Sequence, residues 1–287
     1  MSRPSSSEQD DPIQAYCARV DRLVLGLGVV GIGAAALLAV VAGWLVKFLS
    51  GSALLGLVIA AVVLVSTAGW FIGRIRVWHG ASILERLSAE PIDESSEPRV
   101  WNLVEGLCLR SGVEVPQVLS VRDDRPNALV LGGDHDQRAV VFTSGALEVF
   151  DRIELEAVVA WLVSRLRSGE AERSLRFAGL IEALPIPDGL ASTMRARVGI
   201  EDLVALHDQA ACSLTRYPPG LLGALERARE AADGSISSDV VMTHSWTLDE
   251  AQLWFVPPKV HRVTDAPGQD GAPDSALAER ITNTRDL

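Results

Sequence analysis

Two long uncharged stretches limit what this chain can become. Leu23 to Val46 runs 24 residues without a charged side chain, and Phe48 to Gly73 runs another 26. At about 1.5 Å of rise per residue, either run as a helix crosses a hydrocarbon core of roughly 30 Å. A cleaved signal peptide is shorter, lacks a polar and acidic tail ahead of it, and is not followed at once by a second apolar run. The sequence therefore predicts a transmembrane hairpin over residues 21–76, with spans at about 23–46 and 53–73 and with Trp44, Trp70 and Phe71 at the interfaces. Arg19 and Arg22 precede the first span, Arg74, Arg76 and Arg86 follow the second, and Lys47 alone lies between. Positive charge collects on the cytoplasmic side, so the tail 1–20, which reads as disordered, and the residues after the hairpin are expected there. Gly31, Ala35 and Ala39 recur at four-residue spacing. They suit a packing seam for a homo- or hetero-oligomer, or equally the ordinary small-residue content of membrane helices.

The residues after the hairpin are enough for a core of their own. A net charge of −11 and the lack of any basic stripe argue against nucleic acid as a partner. Cys17, Cys108 and Cys212 are far apart and form no CxxC pair, which suits a reducing compartment and offers no thiolate metal site. An amphipathic stretch, Val77 to Leu87, leads into a polar loop, AEPIDESSEPR, and then a helical pattern from Arg99 to Ser111. Three short β-type runs follow, at Gln117–Val121, Ala128–Leu131 and Ala139–Thr143. Glu148 to Leu166 reads as one helix, apolar over more than half its surface and hence buried. Further helices are predicted at Ala171–Leu184, Gly199–Leu214 and Leu221–Ala232, then an apolar patch at Ala251–Pro258 and a terminal helix in SALAERITNTRDL. The class is α+β and mainly helical, with a domain at 77–260 and a linker and helix at 261–287.

The order of phrases resembles the HtpX-like membrane zinc metallopeptidases, relatives of the CAAX prenyl proteases. Pro126-Asn127-Ala128-Leu129-Val130-Leu131-Gly132 is similar to the family's PNAFATG, and Val141 to Glu148 to its VTTGLLE. Phe150 to Ala160 is similar to the approach to the family's zinc helix, LDRDELEAVLAHELAH. Leu214 to Arg227 resembles a downstream LTGNPEGLARALEKL phrase, and LWFVPP and LAERI resemble closing phrases. The resemblance implies a zincin-like metallopeptidase fold with a small sheet, in which residues Asn127, Ala128, Leu129, Val130, Leu131 and Gly132 form an edge strand able to pair with extended peptide.

The family's chemistry does not carry over. Two histidines four residues apart on a helix reach one zinc, and the glutamate after the first polarises the bound water. In this register those positions are Trp161, Leu162 and Arg165, none of which can do the same work. The family's third ligand, a glutamate, falls at Val204, four residues before Asp208, although an offset would bring in Glu201. The resemblance implies zinc, and the ligand positions imply none. His135, between Asp134 and Asp136, reads as part of a polar turn and His207 as a helix-surface histidine. No GxSxG elbow is present. Trp161 and Arg165 are expected to fill the centre, with Arg165 paired to Asp208 or Glu201; the other reading sets Arg165 in solvent beside Arg167.

The leading expectation is thus a pseudopeptidase: an integral, two-pass protein of a bacterial plasma membrane, with a cytoplasmic domain acting as a peptide- or protein-binding scaffold or regulator in membrane protein quality control. The alternatives are a zinc metalloendopeptidase with altered ligands and a structural subunit of a membrane complex.

Overall fold

The computed structural model describes residues 6–76, 79–134, 137–183, 187–198, 203–233, 248–258 and 272–287. Helices α1 (Ser6–Ser50) and α2 (Ala53–Arg76) form the hairpin, which reverses at Gly51 in the left-handed region (φ 69°), where glycine meets no Cβ penalty. Their backbones all but touch: a Cβ added to Gly43 would lie 2.7 Å from the Gly56 carbonyl oxygen. Ala35 and Ala39 continue that buried face at four-residue spacing. The small-residue seam is therefore used inside the hairpin rather than offered to a second copy, because close backbone approach needs small residues on both helices. Large apolar side chains elsewhere on the pair, such as Leu37, Phe48, Leu54 and Val65, are exposed. Both helices are long and apolar enough to cross a membrane, and they point to a membrane protein.

The N-terminal tail differs from its expected disorder. Helix α1 begins at Ser6, and Ile13, Tyr16, Cys17 and Val20 are buried against Phe177, Met194 and Leu203. Positions 13, 16, 17 and 20 share one helical face, so a polar stretch still carries an apolar stripe.

After α3 (His79–Leu87) comes a two-residue strand, β1 (Glu90–Pro91), within the stretch read as loop, and then α4 (Pro98–Ser111). Strands β2 (Gln117–Val121), β3 (Ala128–Leu131) and β4 (Ala139–Thr143) fall at the predicted bounds. The sheet order is β1-β2-β4-β3, with β2 parallel to β4 and the other pairs antiparallel. β3 lies at the edge as expected, but that edge is not open to a peptide: the Val130 N–H donates to the Leu253 carbonyl at 3.1 Å, the Phe255 N–H to the Ala128 carbonyl at 2.7 Å, and the Asn127 side chain bonds the Val256 backbone, so residues 253–256 cover it. One face, with Val118, Val130, Val140 and Phe142, joins the main core; the other, with Leu119, Leu129, Leu131 and Val141, joins a second cluster with Ile83, Leu87 and Leu175. Coverage on both faces explains why β3 and β4 read as unbroken apolar runs.

The single helix expected from Glu148 to Leu166 is two: α5 (Ser144–Val149) and α6 (Arg152–Ser168). Asp151 divides them, its carboxylate accepting from the Ile153 and Glu154 N–H groups, both at 2.8 Å, while Glu154 accepts from the Asp151 N–H at 2.9 Å. This capping box starts a new helix. Then follow α7 (Glu170–Ala183), α8 (Asp188–Val198), which lies outside the predicted helices, α9 (Leu203–Thr215), α10 (Pro218–Asp233), a short α11 (Leu248–Ala251) and α12 (Ala272–Arg285). The whole is mostly helical, at 74%, with one small mixed sheet. Helix α6 runs through its middle and packs on α4, α7, α9 and α10.

Two of the quoted phrases are structural staples. Thr143 Oγ1 accepts from the Asn127 N–H (2.9 Å) and the Ala146 N–H (3.1 Å) and donates to the Arg125 carbonyl (2.7 Å). Beside it Gly145 lies so close to the 123–125 turn that a Cβ would stand 2.2 Å from the Asp124 carbonyl oxygen. Together they fix the end of β4, and with it the entry into α5 and α6.

Candidate functional site

The site forms where the last turns of α6 meet the starts of α7 and α9. A helix apolar almost all round sinks into the core whatever polar groups it carries, so Trp161, Leu162 and Arg165 are all buried. A guanidinium cannot neutralise itself by losing a proton, so it must find a partner. That partner is Glu170. Gly169, with φ 70°, turns the chain out of α6, and Glu170 opens α7 with its carboxylate directed back. Arg165 Nε donates to Oε2 at 2.5 Å and Nη2 to Oε1 at 2.8 Å, a fork on a fork, while Nη1 donates to the Gln252 carbonyl at 2.8 Å.

The surrounding groups complete a network. Ser174 bonds to Glu170 Oε1, and Tyr16 from α1 bonds to Ser174 at 2.8 Å. His207 on α9 has Nδ1 3.1 Å from Ser164 Oγ and Nε2 3.6 Å from Glu170 Oε2. A second fork lies alongside: Arg280 on α12 donates to both oxygens of Asp208, at 2.9 and 2.7 Å, and to the Phe255 carbonyl at 2.5 Å. Trp161 separates the forks, with the guanidinium carbons of Arg165 and Arg280 at 4.9 and 5.7 Å from its ring centre and Phe255 edge-on at 5.4 Å.

Three expectations change here. Arg165 pairs with Glu170 and not with Asp208, which Arg280 already holds on both oxygens. Glu201 lies outside the described residues. Arg165 is not in solvent beside Arg167: α6 turns the first inward and leaves the second exposed. His207 is not on the helix surface, because α9 presents His207 and Asp208 to α6. Val204 is half-buried one turn before them. Glu170, Ser174, Tyr16 and Arg280 are site residues that the sequence reading missed. A buried-helix arginine demands a carboxylate, but only the left-handed turn at Gly169 brings Glu170 round to be that partner.

Burial alone would raise the Glu170 carboxyl, but the Arg165 charge and hydrogen bonds, with His207 and Ser174, hold it down at about 2. Burial pushes His207 down to about 4, with Arg165 and Arg280 adding to the effect and Glu170 opposing it. His207 is therefore neutral in the folded protein at pH 7. Its folded value is below its unfolded one, so the unfolded chain gains a proton first as the pH falls. Stability from this group is complete above about 6.5 and is lost on the way down to about 4, whereas that from Glu170 is lost between about 4.5 and 2. Thermal unfolding between pH 7 and 4 should show His207→Gln flattening the loss by on the order of 3 kcal/mol.

The residues do not fit a zinc ion. Trp161, Leu162 and Val204 offer no donor, and Arg165 puts a fixed cation, already bonded to Glu170, at the second histidine's helical position. No step through a metal is derived.

A hairpin long and apolar enough to cross a membrane, joined to a mostly helical domain with a small mixed sheet, points to a membrane protein. Curated proteins narrow that class. The chain is 37% identical over 109 residues to "Protease HtpX homolog" of Tropheryma whipplei (strain Twist), covering 38% of this chain and 36% of that protein. It is 30% identical over 162 residues to that of Dictyoglomus turgidum, covering 45% and 53%, and 30% identical over 144 residues to that of Streptococcus pneumoniae (strain Hungary19A-6), covering 50% and 46%. The chain is HtpX-like over these stretches, which span about a third to a half of each relative. No family model matches the chain, and no solved structure does.

Proposed function

We propose that this HtpX-like chain is a membrane-anchored pseudopeptidase. It keeps a zincin-like frame without hydrolytic chemistry and serves as a peptide- or protein-binding scaffold or regulator in membrane protein quality control. Its tail and domain face the cytoplasm of a bacterial cell. The observation that carries the reading is Arg165: at the place of a zinc-binding histidine it is buried and forked onto Glu170. A ligand position converted to a bonded cation is incompatible with binding a dication there, so the site's remaining capacity is for binding chain rather than cleaving it.

The test is metal analysis of the full chain, purified in detergent with its hairpin, alongside a casein-cleavage assay. The expected result is no stoichiometric zinc and no chelator-sensitive cleavage. One zinc per chain, removed by chelation together with casein cleavage, would establish instead a metalloendopeptidase with altered ligands.

A further inference from the structure

The hairpin's own geometry sets where a bilayer surface falls on it. Lys47 closes the apolar run of α1 at one end, and Ala53 opens α2 beside it. A hydrocarbon core of roughly 30 Å takes about 20 helical residues, which ends near Leu27 on α1 and near Gly73 on α2. The close approach of Gly43 to Gly56 agrees, because Leu27 and Ile72 lie equally far along the two helices from that contact.

Helix α7 runs beside α1 towards this level. Tyr16 bonds to Ser174 at 2.8 Å, and further along in the same direction Leu23, Val24 and Leu27 share one apolar cluster with Phe177 and Ile181. Helix α7 packs on α2 as well. Since α1 is unbroken from Ser6 to Ser50, the domain is held with α7 at the membrane boundary and not on a tether.

Arginines collect at that boundary. Arg22 is exposed about 8 Å outside Leu27, at the depth of a headgroup layer roughly 5–8 Å thick, and its Nε donates to the Ala18 carbonyl of its own helix at 3.1 Å. Arg19, nearly one turn back, buries an Nε that has no hydrogen-bond partner among the described residues. Helix α7 adds Arg173, which bonds to Asp21 at 3.1 Å, and Arg176, 59% exposed and paired with Glu172 on its own helix. Arg74 and Arg76 close α2. Six arginines thus stand against Asp21, Glu172 and Glu182, in a chain whose net charge is −11.

We propose that this belt is a docking surface for the phosphates of anionic phospholipids in the leaflet on the domain's side, with Arg173 and Arg176 bringing the domain itself onto the headgroups. The guanidinium fork matches phosphate oxygens in pairs, and a local excess of positive charge favours anionic over zwitterionic lipid. The rest of the chain is acidic and is repelled by the same surface, so the α7 face is the one that approaches it. This rests on the hairpin lying in a bilayer and not on the pseudopeptidase reading.

The test reconstitutes the full-length protein in phosphatidylcholine vesicles with a trace of spin-labelled phosphatidylglycerol or spin-labelled phosphatidylcholine. The motionally restricted fraction of each label is read by electron paramagnetic resonance. The parent is expected to favour phosphatidylglycerol on the order of tenfold at low salt, and the preference should shrink as salt screens the belt. Arg22→Gln and Arg176→Gln, which alter exposed side chains and leave the thermal melt unchanged, should each lower the preference about threefold. Arg152→Gln, exposed at the far end of α6, should not change it. Equal association of the two lipids with the parent, or an equal fall in Arg152→Gln, would overturn the docking surface. A preference untouched by Arg176→Gln would overturn the domain's part in it. Inorganic phosphate should displace no more labelled lipid than chloride of the same ionic strength; greater displacement would make the belt a site for free phosphate and overturn the lipid assignment. None of these readouts depends on metal content or casein cleavage.

Discussion

Replacing Glu170 with glutamine is expected to lower stability by about 3–5 kcal/mol, more than replacing Arg165 with methionine. The two sides of the pair are unequal in what each can do alone. Without Arg165, the Glu170 carboxyl rises under the burial that its partner now counters, takes a proton, and stays bonded to Ser174. Without the Glu170 charge, the Arg165 guanidinium has no such escape. It remains buried and charged, with the Gln252 carbonyl and the single neutral acceptor oxygen of the glutamine in place of a carboxylate fork. Asp208 cannot be recruited, since Arg280 holds both its oxygens. The double variant Arg165→Met/Glu170→Met should recover most of the loss, because a buried pair replaced by apolar volume is often neutral or better. Thermal melts of the parent, Arg165→Met, Glu170→Met and the double variant in one detergent close the cycle, with Glu170→Gln melted alongside. A glutamine variant within 1 kcal/mol of the parent would mean the pair is not buried as a pair.

The two halves of this cycle also separate what the sequence could tell from what it could not. That α6 is buried was legible from Ile153, Leu155, Val158, Val159, Leu162, Val163 and Leu166, which leave no wide polar face. Strands β2, β3 and β4 were legible to the residue because each is an apolar run closed by turn residues. The partner of Arg165 was not, because it sits five residues on and beyond a helix stop, where only the left-handed turn at Gly169 makes it near. Asp208 was unreadable for a related reason: its partner Arg280 lies 72 residues away on another helix. The covering of β3 by residues 252–256 was of the same kind, a pairing across more than a hundred positions that no local period announces. The split of α5 from α6 was readable in principle, since Asp151 and Glu154 stand at capping-box spacing, but the apolar period runs through the break and hides it.

Trp161→Ala is expected to cost about 3–5 kcal/mol, the range for deleting a large buried aromatic. The indole is 1% exposed and sits between two guanidinium groups and the edge of Phe255, so its loss removes apolar contact and both cation–π contacts together. Neither arginine can move into the space, because each is forked onto its own carboxylate. Trp161→Phe should be far milder. The indole Nε1 has no hydrogen-bond partner among the described residues, so phenylalanine discards a buried polar group while keeping a ring against Phe255. A loss of about 1 kcal/mol is expected, measured by thermal unfolding as before. This ordering discriminates between two roles for the residue. A side chain kept for its N–H would suffer about equally from either change, whereas one that fills volume between two buried ion pairs tolerates phenylalanine and not alanine. Volume filling by the Trp161 ring is what a close-packed interior needs between two buried ion pairs, since it does not tolerate a polar hollow.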